Sequence, residues 1–208
     1  MLHGIIDIGS NTIRMAVYLI EGGHFEQLMK RKATVGLASY VEDGIMQPEG
    51  IDKAVETILA YKKFLHCFKI TKVAAFTTAA LRNAKNSNQA VGEIEDRTGI
   101  KIQVISGDEE ATLDFIGATH SLNNSSGLLI DIGGGSTEIV TYRDRQIQYK
   151  TSLPIGSLGF AKKYLGSKGV YAELTSAAAL AGAEKFFAAG KPDNYKVVIP
   201  ITGSGLKR

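Results

Sequence analysis

Cysteine is almost absent: Cys67 is the only one in 208 residues. No internal disulfide can form, which excludes a cross-linked secreted scaffold and fits a reducing compartment. Cys67 itself is expected as a packed thiol in a helix, with nothing around it that would make it a nucleophile. Net charge is also scarce, +3 from 24 basic and 21 acidic residues. The basic residues form short clusters (Lys30 to Lys32, Lys62 with Lys63, Lys162 with Lys163) and no long tract. They read as solvated faces rather than as a nucleic-acid stripe, and the small positive excess suits an anionic substrate. No apolar run is long enough to span a bilayer, so no membrane association is expected. The start of the chain enters an expected strand without the charged segment or cleavage site of an export signal, which makes a cytoplasmic location the expectation. The four histidines, at 3, 24, 66 and 120, show no metal-ligand spacing.

What the chain does have is one phosphate-loop pattern written twice. Gly4, Asp7, Gly9, Ser10, Asn11 and Thr12 return as Leu128, Asp131, Gly133, Gly134, Gly135 and Ser136, with Thr137 following. Asp7 falls on Asp131, Gly9 on Gly133, Thr12 on Ser136 and Tyr18 on Tyr142. Each copy enters a turn of glycines and hydroxyls from an apolar strand and leaves it by a second strand with β-branched residues. Glycine permits the φ > 0 conformations that gather backbone N–H groups onto one anion. The adjacent carboxylate is a hard oxygen ligand for a magnesium ion on that anion. One such turn is an ordinary hairpin, since Asp and Gly are turn residues for steric reasons. Two copies at long separation favour paired phosphate loops.

The first half reads as an antiparallel meander of strands at 4–8, 12–20 and 25–34. A helix then starts at Pro48, with Ile51, Val55, Ile58, Leu59, Lys62 and Leu65 at helical spacing. A buried strand at 72–76, a helix at 86–97 closed by Gly99, and a strand at 100–105 follow. Ser106 and Glu109 have capping-box spacing and open a helix running to about 120. The polar connector at 122–127 is the expected boundary between residues 1–124 and residues 125–208. The second half restarts with strands at 128–132, 137–143 and 146–153, helices near 156–166 and 171–189, and a strand at 196–201. The pattern predicts an α/β protein: a mixed five-stranded sheet with flanking helices, in two related lobes with a cleft between them. A third glycine turn at Gly203, Ser204 and Gly205 comes just before the end, and the second lobe lacks the closing helix and strand of the first. A fragment or a shortened relative of a longer two-lobe protein is therefore expected.

Glu109 is accounted for by helix capping, but Glu110, one residue on, is not. It is either part of a solvated face shared with Asp114 or a functional carboxylate. Arg82 follows the buried strand at 72–76, where strand ends in open α/β sheets face the ligand crevice. It is either a surface arginine in an exposed turn or a fork that holds phosphate oxygens bidentately. Arg14 and Glu138 occupy corresponding places after the two loops, and Glu138 is placed to return to the second loop as another magnesium ligand. Together these parts describe phosphoryl transfer, and with no covalent Cys or Ser relay in view, water is the expected acceptor.

Four motifs, taken in order, resemble the exopolyphosphatase / guanosine pentaphosphate phosphohydrolase (Ppx/GppA) family of the actin–sugar kinase–heat-shock ATPase superfamily. They are Asp-Ile-Gly-Ser-Asn at 7–11, Thr-Ala-Ala-Leu-Arg-Asn-Ala-Lys-Asn at 78–86, Ile-Ser-Gly-Asp-Glu-Glu-Ala at 105–111 and Asp-Ile-Gly-Gly-Gly-Ser-Thr-Glu at 131–138. The resemblance implies ribonuclease H-like, actin-like lobes. It implies that Glu110 activates the attacking water, that Arg82 grips the substrate, and that Asp131 and Glu138 are the magnesium and catalytic-water carboxylates. Asp7, Ser10 and Asn11, with Gly133, Gly134, Gly135, Ser136 and Thr137, resemble the two phosphate loops, and Gly203, Ser204 and Gly205 the third. Magnesium dependence, with potassium in some members, a homodimer, and polyphosphate or the stringent-response nucleotides guanosine pentaphosphate and tetraphosphate as ligands follow from the same resemblance.

Val35, Gly36, Leu37 and Ala38 depart from the family, where many relatives carry an arginine at the second place. The leading expectation is a magnesium-dependent phosphohydrolase that releases terminal orthophosphate. The alternatives are a non-hydrolysing polyphosphate- or alarmone-binding module and a kinase of the same superfamily.

Overall fold

The computed structural model of the protein describes residues 1–122, 124–160 and 197–198. The chain divides into two compact units, Met1–Ile105 and Ser106–Arg208. The connector expected as the boundary at 122–127 therefore lies inside the second unit. The helix before it packs on the strands after it.

In the first unit, strands β1 (Leu2–Ile8), β2 (Thr12–Glu21) and β3 (His24–Thr34) form the expected meander. A 3₁₀ turn at Leu37–Tyr40 and a small hairpin of β4 (Val41–Glu42) and β5 (Ile45–Met46) lead into helix α1 (Pro48–Cys67). Strand β6 (Lys72–Thr77), helices α2 (Ala79–Arg82) and α3 (Ser87–Thr98) and strand β7 (Ile102–Val104) complete it. The sheet order is β3-β2-β1-β6-β7, with β2 alone running against the others. That is the ribonuclease H-like arrangement the resemblance implies.

Alternation along the strands fills one face of this sheet: Ile6 and Ile8 from β1, and Ile13, Met15 and Val17 from β2, are buried. Pro48 stands at the first turn of α1, where its missing N–H costs nothing. The helix buries Ile51, Ala54, Val55, Ile58, Tyr61 and Leu65. Leu59, expected in that stripe, is 41% exposed. Tyr61 lies inside instead, and its hydroxyl donates to the Ile13 carbonyl at 3.0 Å. Gly4 lets α1 approach β1, since a Cβ there would lie 2.9 Å from Leu65 Cδ2. Gly99 ends α3 at φ 66°, as its sequence position predicted. Cys67 is exposed rather than packed, because the last turn of α1 carries it off the buried stripe.

The second unit contains helix α4 (Gly107–Ser121), strands β8 (Gly127–Ile132), β9 (Thr137–Arg143) and β10 (Gln146–Leu153), helix α5 (Ser157–Phe160) and strand β11 (Val197–Val198). Its strand order, β10-β9-β8-β11, repeats the first four positions of the first sheet. Ala111 and Phe115 of α4 pack with Leu129, Val140 and Tyr142 on one face, while Leu128, Ile130 and Ile132 cluster together. The two β-hairpins share one register: His3 pairs with Tyr18 as Gly127 pairs with Tyr142, and Ile8 with Ile13 as Ile132 with Thr137. Among the described residues no helix is long and apolar enough to cross a membrane. The expected helix at 171–189, the residues of the 156–166 helix beyond Phe160, and Gly203, Ser204 and Gly205 lie outside the described residues.

Candidate active site

The first loop is built from its backbone. The Gly9 N–H donates to the Thr12 carbonyl at 3.0 Å and closes the turn between β1 and β2. The Asn11 carbonyl accepts from the N–H groups of Val35 and Gly36, and the buried Ser10 gives its carbonyl to Ala38 N–H. Gly36 takes φ 70°, a left-handed conformation that suits glycine, so the departure at this position serves the loop's own support. Asp7 faces Arg14 across β1 and β2, with their charged groups 3.6 Å apart.

Strand β6 ends against the same loop. Thr77 Oγ1 donates to the Ile8 carbonyl at 2.9 Å, and Thr78, which precedes α2, donates its N–H to the same oxygen. Arg82 is the last residue of α2, a short helix rather than an exposed turn. Its Nη1 donates to the Ile105 carbonyl at 3.3 Å, at the C-terminal side of β7. Asn86, from the same motif, has a structural task. Its amide receives Met46 N–H at 2.9 Å and donates to Met46 C=O at 3.0 Å, mimicking a neighbouring strand for β5.

In the second unit, Ser106 and Glu109 form the predicted capping box: Ser106 Oγ accepts from Glu109 N–H, and the Glu109 carboxylate accepts from Ser106 N–H at 2.7 Å. The hydrogen bonds that the Ser106 N–H and hydroxyl give to the Glu109 carboxylate hold it below its usual range. Glu109 is thereby committed to the helix end.

Across the sheet, Ser152 of β10, Glu138 of β9 and Asp131 of β8 stand in one row, each the direct partner of the next. Glu138 is only 2% exposed, and Ser152 Oγ donates to its Oε1 at 2.7 Å. Burial pushes the Glu138 carboxyl up to about 7, and the charge of Glu110 adds to the effect. Hydrogen bonds from Ser152 and Ser136 pull the other way, and Asp131 contributes a smaller upward push. Glu110, Asp131 and Glu138 thus form one electrostatic cluster, assembled from a helix and two strands. A buried, perturbed acid beside other carboxylates is an arrangement that concentrates at functional sites.

The second loop repeats the first bond for bond at its closure: Gly133 N–H donates to the Ser136 carbonyl at 2.9 Å. It is braced by the segment after β10. Ser157 N–H donates to Gly133 C=O at 2.9 Å, Leu158 N–H to Gly134 C=O at 3.1 Å, and Thr137 Oγ1 to Ile155 C=O. Gly156 passes so close that a Cβ on it would overlap the Gly134 carbonyl and the Gly135 nitrogen. Sequence reasoning missed Gly156. The available signal was a glycine just before a helix-opening serine.

A magnesium ion takes oxygen ligands, holding to one or two carboxylates and completing its shell with water and phosphate oxygens. Asp131 and Glu138 are cross-strand neighbours, two carboxylates beside the Ser136 hydroxyl, and their oxygen chemistry fits that demand. Among the described residues no group of three or more His, Cys, Asp or Glu side chains is placed to hold a metal ion.

The model of the Ppx/GppA phosphatase family matches residues 16–203. The chain belongs to this family. Among its curated relatives, exopolyphosphatase 1 of Mycobacterium bovis is 32% identical over 169 residues, which is 79% of this chain and 49% of that protein. Exopolyphosphatase 1 of Mycobacterium leprae is 31% identical over a similar span. The chain spans about half the length of the curated relatives it matches. A crystal structure of an exopolyphosphatase from Cytophaga hutchinsonii superimposes with a TM-score of 0.78 at 25% identity, covering 95% of this chain and 66% of that one. The Aquifex aeolicus Ppx/GppA family member gives 0.71 at 26% identity, covering 92% and 63%. The Ppx/GppA assignment and the two-unit ribonuclease H-like fold therefore agree.

Proposed function

We propose that this Ppx/GppA chain is a magnesium-dependent phosphohydrolase that removes terminal orthophosphate from inorganic polyphosphate or guanosine pentaphosphate. The carboxylate cluster of Glu110, Asp131 and Glu138 beside the 133–137 loop carries the reading. The exopolyphosphatase names of the mycobacterial relatives favour polyphosphate.

In this mechanism the backbone amides of the two glycine loops hold phosphate oxygens, as nests of N–H groups do. Arg82 offers its planar fork to the terminal phosphoryl group. Glu110 accepts a proton from water as the water oxygen attacks the terminal phosphorus and the bridging P–O bond breaks. Orthophosphate and a chain one phosphate shorter leave as anions. Magnesium, held by Asp131 and Glu138, supplies charge neutralisation on the phosphate oxygens when bound. Ser10, Asn11, Ser136 and Thr137 add hydroxyl and amide groups at the loops, and Asp7 keeps Arg14 in place. The same reading includes a cytoplasmic homodimer, which sedimentation at two protein concentrations tests.

The deciding experiment is orthophosphate release from each substrate with magnesium, for wild type and Glu110→Gln. Release by wild type and a loss of about 100-fold or more in the variant are expected. No release by wild type, or an unimpaired variant, overturns the mechanism. Tight binding of polyphosphate or guanosine tetraphosphate without release would select the non-hydrolysing module instead.

A further inference from the structure

We infer that Ser152 is a positioning residue that fixes the Glu138 carboxylate for the cation and ties it to the helix bearing Glu110. The inference rests on the magnesium role proposed for Asp131 and Glu138. Ser152 lies directly across from Glu138 in the β9–β10 register and donates to Oε1 at 2.7 Å. Glu138 is almost completely buried, so bulk water does not compete for this bond. A serine hydroxyl has one proton to give. Spent on Oε1, it engages one site of a carboxylate that Ser136 also bonds, and lone pairs beyond these two bonds remain for a cation.

Ser152 is itself held from behind. Gly107, the first residue of α4, approaches so closely that a Cβ on it would overlap the Ser152 Cβ. Two residues earlier on β10, Lys150 Nζ donates to Asp108 C=O at 3.1 Å and to Thr112 Oγ1 at 2.9 Å. The first turns of α4, where Glu110 sits, are thus bound to the strand that positions Glu138. Partners of metal ligands orient the ligand, and their loss weakens metal binding about 10- to 100-fold.

The test is calorimetric magnesium titration of the full chain as wild type, Ser152→Ala, Glu138→Gln and the double variant, with the metal-free melting temperature of each. Ser152→Ala is expected to weaken binding by about 10- to 100-fold. In the Glu138→Gln background the same change is expected to add less than about twofold, because the residue acts through Glu138. Should Ser152→Ala lower the melting temperature, Ser152→Cys, similar in shape and a weak donor, is expected to show the same weakening. Magnesium affinity within twofold of wild type in the folded serine variant, or an equal loss with and without Glu138, overturns the inference. A wild-type chain that takes up no magnesium defeats the Asp131–Glu138 reading first, and the role of Ser152 with it.

Discussion

Glu138 faces Asp131 directly across β8 and β9, and the same register position in the first unit pairs Arg14 with Asp7. One hairpin geometry therefore carries a carboxylate pair in one unit and an ion pair in the other. In the first case burial and neighbouring negative charge raise the Glu138 carboxyl. In the second the opposite charges stand 3.6 Å apart and half exposed, a weak surface pair. The two repeats share a backbone and differ in electrostatic task.

Glu138→Gln is expected to stabilise the metal-free protein at high pH. The folded-state value of about 7 lies above the ordinary 4.5, so the folded chain binds more protons between these values. Stability attributable to this group is complete below pH 4.5 and is lost as pH rises through about 7. The interval corresponds to roughly 3 kcal/mol as an upper figure. Thermal melts without magnesium should show the variant more stable than wild type at pH 8 and equal to it near pH 4, while its magnesium binding is weakened but still measurable.

Gly156→Ala should disturb the second phosphate loop from behind. The added methyl meets backbone atoms of Gly134 and Gly135, which move only with the loop. A stability loss of about 1–3 kcal/mol is expected. If the loop holds phosphate, KM for polyphosphate should rise together with the melting change. A variant with wild-type KM and melting temperature would show that the loop tolerates the displacement.

Asn86→Ala should separate the structural half of its motif from the functional half. It removes the two bonds to the backbone of Met46 and leaves those groups without their partner, at about 1–3 kcal/mol. KM is expected to stay near wild type in the surviving folded protein. Arg82→Lys should do the reverse, raising KM about tenfold with little change in melting, since a lysine cannot reproduce the fork. Paired kinetics and melts of the two variants check the division.

Lys69→Gly should stabilise the first unit. Lys69 follows α1 at φ 55°, a left-handed conformation that suits glycine, while Ile70 N–H closes onto the Leu65 carbonyl. A gain of about 0.5–1 kcal/mol is expected, read as a rise of a few degrees in melting temperature.

Much of the fold was legible because it rests on local rules. Short apolar runs marked β1 and β8, and runs with β-branched residues marked β2 and β9. Pro48 and Gly99 punctuated α1 and α3, and the capping box at Ser106 and Glu109 marked the start of α4. The offset of 124 between Asp7 and Asp131 (131 − 7) reappears between the paired strands, His3 with Tyr18 and Gly127 with Tyr142. Less legible were features that depend on the far side of a contact. Leu59 and Tyr61 both fit a helical stripe, and only the sheet beneath α1 chose Tyr61. Cys67 reads as a core thiol, yet it lies off the buried stripe of α1 that ends at Leu65 and is exposed. The polar connector at 122–127 suggests a boundary by its composition, whereas α4 groups with the strands that follow it.

The sequence by itself determined the doubled loop, the residue types that phosphate and magnesium chemistry require, and the membership in the Ppx/GppA family that those motifs carry. Only the tertiary structure decided how these residues act on one another. Ser152, Glu138 and Asp131 meet because three strands align them in one row. Gly107 and Gly156 matter because other backbones pass where a side chain would stand. Glu138 titrates high because folding removes its water and brings Glu110 near. Desolvation and close approach are properties of what surrounds a residue, and a linear chain records them only as an occasional glycine or serine.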